Sequence, residues 1–396
     1  MQRRGDRRGQ VVVHLGDEQR QDVFGVIAPF HAGAQTQFGE GGDGQFRSHS
    51  AIVAGVPRQG AAKNRPRMPI LHRLLMVPGR GSRFDEFMRL EPGISRWIEA
   101  VALPNRRIIA THPLTGGYSN ENIQIIVDGG ESFVLRRYRH FNACAVETAL
   151  AWRVGQLVPV PTIVAADPDG RSAGESVLLM TFMPGRPMSE VLPRLSAGEA
   201  AELGRSTGAA LATIGTVSFD SPGFFSGSDL EPGPPGVDPT EGLPEFVERC
   251  LKEGNAEGHL TQAEQNALLR HAERVAPPLT SLRGSRQLVH ADFNPKNILA
   301  EQHDGRWWVT AVLDWEFAFS SSPLFDVGNL LRHERAPGFA DAFLQGFTEY
   351  GGSLPPGWRQ LSQALDLYSL ADFLTRPPGH RYFARSIETI RELLSR

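Results

Sequence analysis

The chain has 396 residues, 40% of them hydrophobic, and a formal net charge of −3. That balance gives no global attraction to nucleic acid or to an anionic membrane, and no apolar run approaches the roughly 18 residues that cross a bilayer. Cys144 and Cys250 are the only cysteines, too few and too far apart for a disulfide framework or a thiolate metal site. A soluble, cytoplasmic protein with no nucleic-acid and no membrane partner is expected.

Residues 1–78 are rich in Gly, Gln and Arg and show no sustained period of 2 or 3.6, so they bury little apolar surface. Arg3, Arg4, Arg7 and Arg8 lead into no signal-peptide core. The segment is expected to be a disordered extension or the product of a start placed too far upstream, with Met68 or Met76 as the true initiator. Beyond it, Ile94, Trp97, Ile98 and Val101 make one apolar helical face that Pro104 ends.

A β-rich stretch follows. Ile108 to Leu114, the break at Thr115-Gly116-Gly117, Ile123 to Val127, the Asp128-Gly129-Gly130 turn and Phe133 to Tyr138 predict an antiparallel meander. Ala143 to Leu157 has helical spacing, and Val177 to Met180 reads as a buried strand that Pro184-Gly185 breaks. The pattern then turns helical, with capping boxes at Ser196/Glu199 and Thr261/Glu264. One short β unit, Leu288 to Leu299 and Trp307 to Leu313 around an Asp304-Gly305 turn, interrupts this half.

The chemistry concentrates in His290-Ala291-Asp292-Phe293-Asn294-Pro295-Lys296-Asn297 and, across that hairpin, Leu313-Asp314-Trp315-Glu316. Folding at Asp304-Gly305 brings Asn297 and Asp314 to one end, where their oxygens suit hard Mg²⁺, which fills its other positions with water and phosphate oxygens. Asp292, five residues before Asn297, is placed to accept the proton of an attacking hydroxyl. Any one of these residues alone reads equally as a turn or cap. Their order, base then Asn then Asp at the next strand end, is the order phosphoryl transfer needs.

These residues resemble the catalytic and metal motifs of the aminoglycoside phosphotransferase and choline kinase-like family, over about Ile108 to Leu331. The resemblance implies an α+β, bilobal protein-kinase-like fold: a β-rich nucleotide-binding N-lobe over 79–183 and a mainly helical C-lobe over 184–396. It implies Asp292 as catalytic base, His290 as a brace for the loop, and Asn297 and Asp314 as Mg²⁺ ligands. Asp326 would tie the loop from a helix start, where a plain N-cap is the competing reading. Gly116, Gly117, Ser119 and Asn120 match the phosphate loop. Arg136 stands where many members carry Lys, and Glu147, on the inward face of its helix, is its candidate partner. Met180, Thr181 and Met183 match the adenine-binding hinge, with Thr181 where many relatives have Glu; Gly215 stands where they often have His.

The implied activity is transfer of the γ-phosphoryl group of ATP or GTP to a hydroxyl of a small molecule. Trp315-Glu316 in place of Phe-Gly, and the short span from Asp314 to Asp326, leave little room for the peptide-docking loop of a protein kinase. A catalytically silent kinase-like binding module and a metal-dependent hydrolase are the alternatives. From Glu190 to Glu264 there are 13 Asp or Glu against 4 Lys or Arg, which would attract a cationic acceptor such as an aminosugar if they line the acceptor site, and are solvated helix faces if they do not. Aromatic residues in Phe219 to Phe225 and Tyr368 to Phe383 offer walls for a larger, less charged acceptor.

Overall fold

Ile94, Trp97 and Ile98 are buried as the spacing predicts, on a helix, α1 (Pro92–Trp97), that Pro92 opens in its first turn. The structure is a computed structural model and describes residues 90–114, 120–333 and 336–395. The fourth member of the predicted face fails: Ile98–Ala102 is a π-helical turn, closed by Leu103 N–H to Ile98 O at 2.7 Å. The wider turn rotates Val101 out, to 59% exposure, and turns Ala102 and Leu103 inward instead.

The strands β1 (Ile108–Leu114), β2 (Asn120–Val127) and β3 (Ser132–Tyr138) form the predicted antiparallel meander. After α2 (Cys144–Val154) come β4 (Ile163–Asp167) and β5 (Val177–Thr181), completing a sheet of order β1-β2-β3-β5-β4. The edge strand β4 was not foreseen, because four of its five residues are half-buried and give no alternation. Period-2 geometry sorts the two faces of the meander. Ile123, Ile125, Val127, Phe133 and Leu135 pack under α1, while Asn120, Asn122, Arg136 and Tyr138 lie on the opposite face, paired Asn120 with Tyr138 and Asn122 with Arg136.

From residue 184 onward the chain is mainly helical. The short strand β6 (Arg186–Pro187) and helix α3 (Met188–Val191) lead to α4 (Ala197–Ile214), whose predicted capping box is formed. A loop with β7 (Gly223–Phe225) and β8 (Pro232–Gly233) leads to α5 (Leu243–Glu253) and to α6 (Gln262–Val275), capped by Thr261 and Glu264.

The predicted strand Leu288 to Leu299 is in fact two. β9 (Gln287–Val289) joins β12 (Phe319–Ser321), whereas β10 (Ile298–His303) pairs with β11 (Arg306–Val312) and β6. Between β9 and β10 the chain cannot stay extended, since Ala291 has φ +70° and Pro295 has no N–H to offer a ladder. At the hairpin tip Asp304 and Gly305 both have positive φ, 52° and 75°, the type I′ geometry that matches strand twist. The remaining helices are α7 (Leu324–Leu331), α8 (Phe339–Glu349), α9 (Trp358–Asp372) and α10 (Arg381–Leu394). Gly204 and Gly208 of α4 lie against the α8 backbone at Phe339 and Phe343, closer than any side chain would permit.

Candidate active site

The loop between β9 and β10 is held from below by a residue of α7. Both carboxylate oxygens of Asp326 leave their own helix: Oδ2 accepts from His290 N–H at 2.8 Å and Oδ1 from Ala291 N–H at 2.9 Å. Of the two readings open in the sequence, the loop tie is the one the geometry supports. Burial raises the Asp326 carboxyl to about 7, against two amide bonds that favour its ionised form.

His290 is fully buried, with its ring 4.5 Å from that of Trp315. Its Nε2 faces the Leu313 carbonyl at 2.9 Å and its Nδ1 accepts from Asp292 N–H at 3.3 Å. Because a carbonyl only accepts, the proton belongs on Nε2. Burial lowers this histidine to about 4, so it is a neutral strut between the two halves of the motif.

Asp292 Oδ1 accepts from Asn294 Nδ2 at 2.5 Å and Oδ2 from Asn297 Nδ2 at 2.7 Å. Burial pushes its carboxyl above the ordinary aspartate range, with Lys296 opposing. Across the hairpin, Ile298 pairs with Val312 and Leu313 N–H bonds Asn297 O at 2.8 Å, which brings Asn297 and Asp314 to the same end. Asp314 has φ +70°, a second left-handed residue in the motif, of the kind that persists only where the surroundings hold it.

Arg136 closes the site from the sheet. Its Nη1 lies 2.5 Å from Glu147 Oε1 and 2.8 Å from Asp314 Oδ1, and its Nε is 3.1 Å from Asn122 Oδ1. Burial works against its charge, but Glu147 and Asp314 outweigh it and hold the guanidinium firmly protonated. The Tyr138 hydroxyl donates to the other oxygen of Glu147. Asn120 reaches across to donate to Glu316.

Asp314 Oδ2 and Asn297 Oδ1 accept no hydrogen bond from the described residues. One carboxylate and one amide oxygen at a hairpin end fit Mg²⁺, which needs few protein ligands. Among the described residues no group of three or more His, Cys, Asp or Glu builds an all-protein metal cage.

The hinge residues divide in use. Thr181 N–H is already bonded to Thr162 O at 2.9 Å, so that donor is not available to a ligand. Met183 N–H has no backbone partner among the described residues, and Met180 is buried beside Tyr138 and Cys144. Gly116, Gly117 and Ser119 lie outside the described residues.

On the other side of Asp292 a cavity of about 770 Å³ opens between the loop and the C-terminal helices. Ser189, Leu195, Asn294, Lys296, Phe373 and Tyr382 are on its walls with Asp292. None of the 13 acidic residues from Glu190 to Glu264 lines it. They serve as caps and surface ion pairs instead, Glu199 on Ser196, Glu248 with Lys252, Glu241 with Arg283 and Glu264 with Arg391. Of the two readings open for this stretch, solvated helix faces is the one that agrees with the absence of its acidic residues from the wall of this cavity. Phe373 and Tyr382 do furnish aromatic walls, whereas Phe219 and Phe225 pack on each other in the core.

Several contributors were missed in the sequence: Tyr138, Asn122, Asn294 and Glu316. Tyr138 and Asn122 were accessible, since Tyr138 shares the Arg136 face two residues on and Asn122 is its cross-strand partner.

An antiparallel sheet carrying an Arg–Glu pair, joined to a helical lobe that carries Asp292, Asn297 and Asp314, defines the α+β protein-kinase-like fold. The family model described as the phosphotransferase enzyme family matches residues 110–363, well over half of the chain, and the chain belongs to that family. It is a small-molecule phosphotransferase. Solved structures agree on the fold. An APH(2") phosphotransferase in complex with GDP and kanamycin is 16% identical with a TM-score of 0.57, covering 75% of this chain and 97% of that one. A candidate aminoglycoside phosphotransferase from Ralstonia eutropha is 17% identical (TM-score 0.56; 76% and 97%). A thermostable mutant of APH(4)-Ia with ADP and hygromycin B is 18% identical (TM-score 0.53; 76% and 97%). No curated protein matches the chain by sequence. Among the described residues no helix is long and apolar enough to cross a membrane.

Proposed function

We propose that this protein transfers the γ-phosphoryl group of ATP or GTP to a hydroxyl of a small molecule bound in the cavity beside Asp292. Residues 79–183 would hold the nucleotide, and 184–396 the catalytic loop and the acceptor. The observation that carries the reading is the position of Asp292: one face of its loop borders the cavity, and Oδ2 is tied to Asn297, at the same hairpin end as Asp314. A group there touches both reactants.

The chain's own residues supply positioning. Asn294 and Asn297 fix both oxygens of Asp292, so it meets the acceptor hydroxyl in one orientation. Burial makes it a better proton acceptor than a solvated aspartate. The acceptor oxygen forms its bond to the γ-phosphorus as the bridging oxygen to the β-phosphate departs, and the hydroxyl proton passes to Asp292 and then to solvent. Arg136, fixed by Glu147, would face the phosphates, and the N–H of Met183 is the hinge donor with no backbone partner among the described residues. Asn297 and Asp314 would hold Mg²⁺, which supplies neutralisation of phosphate charge. That structurally similar proteins form complexes with kanamycin and with hygromycin B supports a polyhydroxylated small molecule as acceptor.

The test is nucleotide binding and acceptor-dependent turnover by the wild type and Asp292→Asn. Loss of turnover by about 10²- to 10⁴-fold with nucleotide affinity unchanged is the expected result. Equal turnover in the two proteins would remove Asp292 from the role of base.

A further inference from the structure

Among the described residues, cations predominate on the wall of the cavity beside Asp292: Lys296, Arg332, Arg381 and Arg385 line it, and Asp292 is the one carboxylate among them. Arg332 is matched from behind: its Nε lies 2.6 Å from Asp366 Oδ2, and both side chains are almost fully buried. Arg381 Nη2 lies 2.6 Å from the Tyr382 hydroxyl.

Lys296 and Arg385 are different. Lys296 Nζ sits 4.4 Å from the centre of the Tyr382 ring, and neither Lys296 nor Arg385 meets a carboxylate among the described residues. A cation over a ring gains about 0.5–1 kcal/mol at an exposed site and keeps its donors available. Both line the cavity, Lys296 from the Asp292 loop and Arg385 from α10, one turn beyond Arg381. Two cations without a carboxylate in ion-pair contact, supplied by two elements to one concave, partly apolar space, suit an oxyanion.

The seat is separate from the nucleotide side. Arg136, Asn297 and Asp314 are absent from the cavity wall, so these cations do not belong to the Arg136 cluster. A polycationic aminosugar would meet Lys296 and Arg385 as like charges in a confined space and would be repelled. An acceptor with a negative group gains from both, and its apolar face has Phe373 and Tyr382 to lie on, rings 5.2 Å apart.

We infer that the acceptor carries an anionic group, a carboxylate or a phosphate ester, seated on Lys296 and Arg385 while its hydroxyl reaches Asp292. This rests on the reading of the cavity as the acceptor site and deepens it from a hydroxylated small molecule to a hydroxylated anion.

The experiment measures binding separately from turnover. Asp292→Asn protein, full chain and saturated with a non-hydrolysable nucleotide, is titrated calorimetrically with four anions, glycerate, gluconate, glycerol 3-phosphate and glucose 6-phosphate, and with glucose and glucosamine as neutral and cationic counterparts. At least one anion is expected to bind tenfold or more tighter than glucose and glucosamine. Its class, carboxylate or phosphate ester, separates the two sources of the charge. Lys296→Gln and Arg385→Gln, each added to that protein, should each weaken this anion at least fivefold, with melting temperature unchanged. Glucosamine binding as tightly as the best anion, no anion binding better than glucose, or anion binding indifferent to both substitutions would each overturn the inference. Turnover surviving in Asp292→Asn would instead overturn the assignment of the base and leave the anion seat standing.

Discussion

The side-chain amide of Asn120, at the start of β2, donates to the carboxyl of Glu316, two residues after Asp314, in a buried contact between the N-terminal sheet and the catalytic segment. Burial first, and then the neighbouring Asp314, push the Glu316 carboxyl well above the ordinary range. Both causes favour its uncharged form over the carboxylate.

Glu316→Gln keeps the size and takes the uncharged form that burial favours, so its melting temperature and nucleotide affinity should stay close to wild type. Glu316→Ala strands the Asn120 amide, whose Oδ1 is already buried without a partner, and should cost about 1–3 kcal/mol with weaker nucleotide binding. Thermal melts and nucleotide titrations of the two variants make the comparison. A Gln variant as damaged as the Ala variant would show that the carboxyl is needed ionised.

Arg136 is asked to hold three partners, Glu147, Asp314 and Asn122. A planar fork does this and an ammonium does not. Arg136→Ala should lose about 3–5 kcal/mol in urea unfolding, because Glu147 stays buried and uncompensated. Arg136→Lys should recover most of that stability yet raise the KM for nucleotide, since a single point charge serves Glu147 at the expense of Asp314. Equal stability of the Ala and Lys variants would mean that Glu147 is not relying on this cation.

Much of this was legible in the sequence because it is local. The D-x4-N spacing and the Asp304-Gly305 turn bring Asp292, Asn297 and Asp314 together with no knowledge of the tertiary structure, and the family resemblance adds Arg136. What was not legible depends on long-range pairing. β9 and β10 read as one apolar strand because nothing in the letters says that Ala291 takes a left-handed conformation. The link from Asn120 to Glu316 spans 196 residues, and no period reports such a partner; the tie from Asp326 across 36 residues was implied by the family resemblance alone. The acidic stretch left two readings open for a related reason: a charge count does not say which face of each helix turns to the cavity.

Two buried groups in the loop should set opposing pH dependences. Asp326 titrates at about 7 in the folded protein against 3.8 when exposed. Between those values the native state holds a proton that the unfolded state lacks, so stability falls as pH rises through the window, by about 4 kcal/mol in all. His290 is lowered from 6.5 to about 4. There the unfolded state takes the proton, so stability rises with pH across that window, by about 3 kcal/mol. Together they nearly cancel between pH 4 and 6.5. Asp326→Asn removes the first and should leave a protein less stable overall whose stability relative to wild type climbs by about 3 kcal/mol from pH 4 to 6.5. Denaturant unfolding at several pH values reads this directly, and parallel profiles for the two proteins would sink the argument.

The packing of α4 on α8 gives a paired test on one helix. A Cβ at Gly208 would overlap the Phe343 carbonyl, and backbone cannot swing aside as a side-chain end does. Gly208→Ala should therefore destabilise by about 1–3 kcal/mol as the helices are forced apart, despite alanine's better helix propensity. At Gly198, in the first turn of the same helix, an added Cβ meets nothing within 4 Å. Gly198→Ala should stabilise, by up to about 1 kcal/mol, through the reduced freedom of the unfolded chain. The sign difference is the informative result. Both variants more stable than wild type would mean that α4 and α8 do not approach as closely as Gly204 and Gly208 allow.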